Sequence, residues 1–195
     1  MYILVALITI IFIIIILFKT KKTQNMFSTS RTVNQGNENS SHINKNLFEN
    51  IDNETLTLAA KAGHEAKQAV KDKDYNKAWG KLSEQKSLYM KHSRAIGYST
   101  QDALSLDSNV HENYANILRL EKKHYDAFFH ILYWVMASYH RPIKKHEQKL
   151  VAYFNRCKFK KLTLDEVQFY VKKHGPSLVN ILEIKEQVKQ WKDNE

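Results

Sequence analysis

The pattern of hydrophobic and polar positions divides the chain into three segments. Residues 1–18 are an apolar run dominated by Ile, Leu, Val and Phe, without a charged side chain. Residues 19–55 are rich in Asn, Ser, Thr and Gln and have neither strand nor helix periodicity. From residue 56 onwards, apolar side chains recur every three or four positions, as they do in amphipathic helices. The pattern therefore predicts an apolar helix, a flexible polar linker and an all-α domain at residues 56–195.

The domain is predicted to be a bundle or a short stack of antiparallel helical hairpins. Residues 56–95 give the first hairpin, because two amphipathic runs flank a polar corner at residues 71–74. The polar residues 99–108 are expected to separate this pair from the next one. There, Asn109 and Glu112 have the spacing of a capping box, which predicts the start of another helix.

Residues 125–139 are the most apolar stretch of the domain. Their only polar side chains belong to Asp126, His130 and Ser138. Such a stretch is too short to span a bilayer and is typical of a helix that is buried on most sides, so we place it at the centre of the core. A re-entrant or membrane-surface segment is the alternative.

Prolines and caps predict the boundaries of the remaining helices. Pro142 is expected to end one helix and to be the first residue of the next. Thr163 and Glu166 form a second capping box, and Pro176 is expected to start the last helix. That helix carries a heptad-like apolar seam, which we expect to dock on the domain or on a partner helix: Ile181, Ile184, Val188 and Trp191.

The apolar run at residues 1–18 is long enough for a transmembrane helix. A helix of this length spans roughly 27 Å, close to the thickness of the hydrocarbon core. Lys19, Lys21 and Lys22 follow it directly, so the positive-inside rule places them and the domain in the cytoplasm. We therefore expect a single-pass protein, and the high Lys, Asn and Ile content favours a bacterial inner membrane. A cleaved signal peptide is the alternative for this segment.

Composition supports helices and argues against several kinds of chemistry. The chain has five Gly and two Pro, too few for the turns of a many-stranded sandwich or barrel. Its single cysteine, Cys157, excludes an intramolecular disulfide and is expected to be a buried apolar side chain rather than a nucleophile.

One hairpin resembles a known repeat family. The string Asp74-Tyr75-Asn76-Lys77-Ala78 is similar to the start of the second helix of a tetratricopeptide repeat, with Ala66 near the small residue of the first helix. The second hairpin offers only Tyr125-Asp126-Ala127, one residue out of step. The resemblance implies stacked antiparallel helix pairs with a groove for a peptide or protein partner. An ordinary helical bundle with the same corner is the alternative.

No motif for catalysis or metal binding is complete. His64-Glu65 and His111-Glu112 begin like a zinc-protease helix, but the positions four residues after each histidine hold Gln68 and Ala115. The sequence has no Gly-rich phosphate loop and no Gly-x-Ser-x-Gly motif. We therefore expect no enzymatic activity, no cofactor and no metal.

Positive charge is the strongest chemical signal in the sequence. The formal net charge is +10, and residues 141–161 hold one acidic side chain, Glu147. A basic surface of this kind attracts polyanions, although a solvated lysine face is the alternative. The candidate binding residues of this segment are Arg141, Lys144, Lys145, Lys149, Arg156, Lys158, Lys160 and Lys161.

These observations predict a membrane-anchored, non-enzymatic interaction module that binds a protein partner. Its basic face is expected to contact anionic lipid, because the anchor already holds the domain near the headgroups. The alternative is a membrane-tethered nucleic-acid-binding protein, in which the basic residues contact phosphates and Tyr153, Phe154 and Phe159 stack on bases.

Overall fold

The computed structural model describes the backbone of residues 38–195 and the side chains of residues 54–195. This part of the chain is all-α, as the sequence predicts, and none of its helices is long and apolar enough to cross a membrane. The predicted apolar helix at residues 1–18 lies outside the described residues. In chain order the helices are α1 (Glu38–Lys71), α2 (Tyr75–Ala95), α3 (Thr100–Ser108), α4 (His111–Leu120), α5 (His124–Ala137), α6 (Lys144–Cys157), α7 (Leu164–His174) and α8 (Ile181–Asp193).

The first hairpin consists of α1 and α2. Helix α1 begins at Glu38, so its first turns lie in the residues that the sequence pattern assigns to the linker. The corner between the two helices follows Lys71, as predicted. Lys73 adopts a left-handed conformation there, and the Asp74 side chain caps α2 by accepting a hydrogen bond from the Lys77 amide at 3.0 Å.

The corner between α4 and α5 has the same backbone geometry. Lys73 and Lys122 have φ angles of 60° and 62°, and the amide of the following residue bonds back to the preceding helix in both corners. Ala78 follows Lys73, and Ala127 follows Lys122, by the same number of residues, and both alanines are fully buried. The two hairpins therefore share a local design, whereas membership of the tetratricopeptide family stays a prediction.

Helix α5 forms the centre of the core, which confirms the prediction for residues 125–139. Every residue from Ala127 to Ala137 is buried except His130, which is half-buried. The helix packs against α3, α4, α6, α7 and α8. Burying a large apolar side chain contributes roughly 1.5–3 kcal/mol to the stability of a fold. Side chains such as Phe128 and Ile131 therefore make α5 the helix that contributes most to the hydrophobic core.

The middle of the domain differs from the prediction in two features. Residues 100–108, expected only as a polar stretch between two hairpins, form helix α3, with Ser99 as its N-cap. The capping box of Asn109 and Glu112 does not form, because Val110 is the N-cap of α4. Glu112 instead makes ion pairs with lysines of α6, so its carboxylate is engaged elsewhere.

The last helices agree in part with the predicted boundaries. The capping box of Thr163 and Glu166 is confirmed, with the Thr163 amide donating to the Glu166 carboxylate at 2.7 Å. The two prolines do not begin helices: α6 starts two residues after Pro142, and α8 starts at Ile181, where the Asn180 side chain caps it. The seam of α8 docks on the domain through its buried residues, Ile184 and Val188.

Two glycines at the open surface of the first hairpin give a paired stability prediction. A Cβ atom added to Gly80 or to Gly97 meets no other atom within 4 Å, but Gly97 has a φ of +68° and ends α2. We expect Gly80→Ala to raise the free energy of unfolding by about 0.5–1 kcal/mol, because alanine is the better helix former. Gly97→Ala should lower it by about 1 kcal/mol, because a side chain disfavours the left-handed conformation. Urea titration followed by tryptophan fluorescence measures both changes, and equal signs would contradict the explanation.

Candidate functional site

A chain of polar side chains crosses the interface between α2, α3, α4 and α5. Lys86 of α2 lies 3.3 Å from the Asp107 carboxylate and 3.4 Å from Nε2 of His111. The Nδ1 atoms of His111 and His130 are 2.9 Å apart. Tyr133 of α5 donates its hydroxyl hydrogen to Asp107 at 3.1 Å. The chain thus links a carboxylate, an ammonium group and two imidazoles.

The hydrogen-bond donors among these polar side chains determine which ring nitrogen of His111 and of His130 carries the hydrogen. An ammonium group can only donate, so Nε2 of His111 accepts from Lys86 and its Nδ1 carries the hydrogen. That hydrogen is then donated to Nδ1 of His130. Burial lowers the pKa of His111 to about 2 and that of His130 to about 3, and the nearby positive charge of Lys86 acts in the same direction. Both histidines are therefore neutral, and both ring nitrogens of His111 are hydrogen-bonded within this set of side chains.

Apart from Lys86, whose side chain is 34% exposed, this polar chain has little access to solvent. His111 is 1% exposed, and Trp79 and Tyr114 stack beside it with ring centroids 4.3 Å apart. The described residues contain no group of three or more His, Cys, Asp or Glu side chains that could hold a metal ion. The arrangement therefore links four helices through polar contacts in the interior of the domain.

The single thiol is likewise part of the interior. Cys157 is buried, and its Sγ lies 3.4 Å from the His124 carbonyl oxygen. Burial raises the pKa of this thiol to about 12. A thiol that stays protonated is a poor nucleophile, in agreement with its expected role as an apolar side chain.

The structure distributes the eight predicted binding residues along and beyond α6 instead of gathering them. Arg141 precedes the helix and pairs with Asp102 at 2.6 Å. Lys145 and Lys149 both pair with Glu112, at 2.7 and 3.3 Å. The ends of α6 are about 20 Å apart at its helical rise. Acidic side chains of α3 and α4 therefore partly neutralise the first half of the predicted site. Lys144 and Arg156 are exposed on α6, and Lys158, Lys160 and Lys161 follow it.

Two of these residues, Lys160 and Lys161, lie beside Asn194 and Glu195. The backbone amides of Lys160 and Lys161 donate to the Glu195 carboxylate, and the Lys161 ammonium donates to the Asn194 carbonyl at 2.7 Å. Phe159, which lies between Lys158 and Lys160 in the sequence, contacts the ring of Tyr125, and the two ring centroids are 5.3 Å apart. This contact brings the C-terminal part of the predicted site next to a second group of lysines.

That second group lines a cleft of about 580 Å³ between the corner of α4 and α5 and helix α8. We call it the basic cleft. Its only acidic lining residues are Asp126 and Glu186. Leu182 lines it as well and is 71% exposed. The five basic lining residues are Lys122, Lys123, Lys185, Lys189 and Lys192.

A second depression, the apolar groove, lies between α6 and α7 and has a volume of about 630 Å³. Ile143, 52% exposed, stands on one side of it, and Leu150 and Val171 lie within it. Its charged lining residues have both signs: Lys144, Glu147 and Lys172. A groove of this composition is suited to the apolar face of a helix or peptide.

Sequence reasoning missed both depressions because each combines segments far apart in the chain. The basic cleft joins residues 122–129 to residues 182–192. The available signal was the spacing of Lys185, Lys189 and Lys192, which places them on one side of a helix.

Comparison of the chain with protein-family models, with curated proteins and with solved structures found no match.

Proposed function

We propose that the protein is a single-pass membrane protein that presents a non-enzymatic helical interaction module in the cytoplasm. Residues 1–18 are the anchor, and the lysines that follow set its orientation. The helical domain binds a protein partner, and its basic face lies toward anionic lipid. The apolar run without charge supports the anchor, and the surface of the domain supports the binding role.

The apolar groove is the observation that carries the proposal of a protein partner. Large apolar side chains that are half exposed, such as Ile143, mark interaction sites when they border a concave surface. The partner is an amphipathic helix, because apolar residues line the groove while Lys144, Glu147 and Lys172 supply charges of both signs for its polar edges.

Nucleic-acid binding through residues 141–161 is less favoured by the position of the aromatic residues. Tyr153 and Phe154 are buried, and Phe159 packs against Phe128 and Phe154 in the core. Stacking on bases requires an exposed ring face, so only phosphate contacts would remain for this segment.

A groove substitution tests the protein-partner proposal in the full-length chain. We expect Ile143→Asp to reduce the recovery of the co-purifying partner from detergent-solubilised membranes at least tenfold, because an unpaired carboxylate opposes burial. Leu178→Asp is the control, since Leu178 is 62% exposed and does not line the groove. Equal recovery of the partner with both variants would refute the proposal. Loss of the partner from the parent protein after nuclease treatment would refute it as well, because the association would then depend on nucleic acid.

Extraction tests the anchor independently. The full-length protein should stay in the membrane pellet after washing with alkaline carbonate, which removes peripheral proteins. Protease added to inverted inner-membrane vesicles should digest the helical domain, whereas protease added to intact spheroplasts should leave it uncut. A soluble chain or the reverse protection pattern would contradict this part of the proposal.

A further inference from the structure

The basic cleft differs from an ordinary solvated lysine face in its charge balance. The negative charges that line it are Asp126 and Glu186. Glu186 reaches only Lys189, at 3.8 Å, and both side chains are more than half exposed. Lys122 and Lys185 have no ion-pair partner among the described residues. Lys123 pairs with Glu121, which does not line the cleft, at 3.1 Å. Exposed pairs contribute little, so five lysines against two lining carboxylates leave the cleft with a net positive charge.

An apolar side chain stands at the same place. Leu182 lies one turn before Lys185 on α8 and lines the cleft, yet it is 71% exposed. Helical spacing places Leu182, Lys185 and Lys189 on one side of α8. An exposed leucine beside lysines is the arrangement by which amphipathic helices contact the boundary between headgroups and acyl chains.

We propose that the basic cleft binds the phosphate-bearing headgroups of anionic phospholipids, with Leu182 entering the apolar layer beneath them. This inference rests on the proposed membrane anchor, because the anchor holds the domain within reach of the headgroups. The ammonium groups of α8 and of the corner between α4 and α5 contact the lipid phosphates from two sides.

The rings in the cleft favour lipid over a nucleic acid. Tyr125 has the Lys192 ammonium 5.3 Å from its ring centroid and Phe159 in an edge contact, so its ring is already occupied. Phe129 is buried. Neither ring therefore offers an exposed face on which a base could stack. A soluble polyanion would not bury the Leu182 side chain, whereas an acyl layer removes it from water, which is favourable.

The test places an environment-sensitive fluorophore at the cleft of the full-length chain. Leu182→Cys is labelled in nanodiscs of phosphatidylcholine alone and in nanodiscs that also contain phosphatidylglycerol. Cys157 is buried, and the chain without the new cysteine measures its residual labelling. We expect a blue shift, and at least threefold stronger quenching by brominated acyl chains, only in the anionic discs.

Charge reversals identify the residues responsible. Lys185→Glu/Lys189→Glu should abolish the blue shift and the excess quenching, because four charge units change at the cleft. Lys61→Glu/Lys91→Glu is the matched control, since both lysines are exposed on the first hairpin. We expect it to retain the response of the parent protein. Loss of the response in both variants would show a general charge effect and would overturn the assignment to the cleft.

Two further arms distinguish the source of the phosphate. Inorganic phosphate and a single-stranded oligonucleotide are each added to the labelled protein in neutral discs. If either binds and the anionic discs produce no shift, the cleft is a site for that soluble ligand and the lipid proposal is wrong. A chain that inserts into discs but shows no lipid response refutes the cleft assignment alone, whereas a chain that fails to insert refutes the proposed anchor and this inference with it.

Discussion

His111 and His130 together are expected to lower the free energy of unfolding of the helical domain by about 4 kcal/mol between pH 7.5 and pH 5. His111 and His130 are neutral in the fold, with pKa values lowered to about 2 and about 3 by burial. In the unfolded chain a histidine has a pKa of about 6.5. Below that value the unfolded state binds more protons, so stability falls with pH, by about 2 kcal/mol for each histidine at pH 5.

The variant His130→Leu separates this effect from other titrations. Removing the buried imidazole of His130 should make the loss between pH 7.5 and pH 5 about 2 kcal/mol smaller than in the parent protein. Urea titrations of the detergent-solubilised chain, followed by tryptophan fluorescence, measure it, because all three tryptophans lie in the helical domain. The same pH dependence in the variant and the parent protein would mean that His130 does not stay neutral in the fold.

The sequence pattern predicted those features of the fold that are determined by residues close together in the sequence. The buried helix at residues 125–139 follows from its own apolar composition, and the cap at Thr163 follows from two side chains three positions apart. Each feature is determined within a few turns of helix. The all-α class is predictable for the same reason.

Helix α3 was missed because its polar residues are satisfied by distant segments. Asp102 pairs with Arg141, Ser108 contacts Ser138 at 3.1 Å, and Asp107 accepts from Tyr133. Without those partners a polar run resembles a loop. Polar side chains that face other helices cannot be recognised from sequence until their partners are in place.

The histidine pair and the two depressions depend on packing in the same way. His111 and His130 are on different helices, and only the antiparallel contact of α4 and α5 brings their Nδ1 atoms within 2.9 Å. The predicted basic segment does not form one surface by itself, and its role in binding stays a prediction. Its first half faces Asp102 and Glu112, and its second half approaches a cleft built mainly by α8.

The substitution Lys86→Met is expected to lower the free energy of unfolding by about 3 kcal/mol. The Asp107 side chain is only 10% exposed and would lose its cationic partner, while Nε2 of His111 would lose its donor. Removing one partner of a buried ion pair costs about 3–5 kcal/mol. The expected value lies at the lower end because the Lys86 side chain is 34% exposed and water compensates in part.

The double variant Lys86→Met/Asp107→Asn determines whether the uncompensated carboxylate is the cause. Asparagine keeps an oxygen that accepts from Tyr133 but carries no charge. We therefore expect the double variant to be at least 1 kcal/mol more stable than Lys86→Met alone, as measured by urea titration at pH 7.5. If the two substitutions instead destabilise the domain additively, Lys86 and Asp107 are not coupled, and the polar chain of α2, α3, α4 and α5 is not an energetic unit.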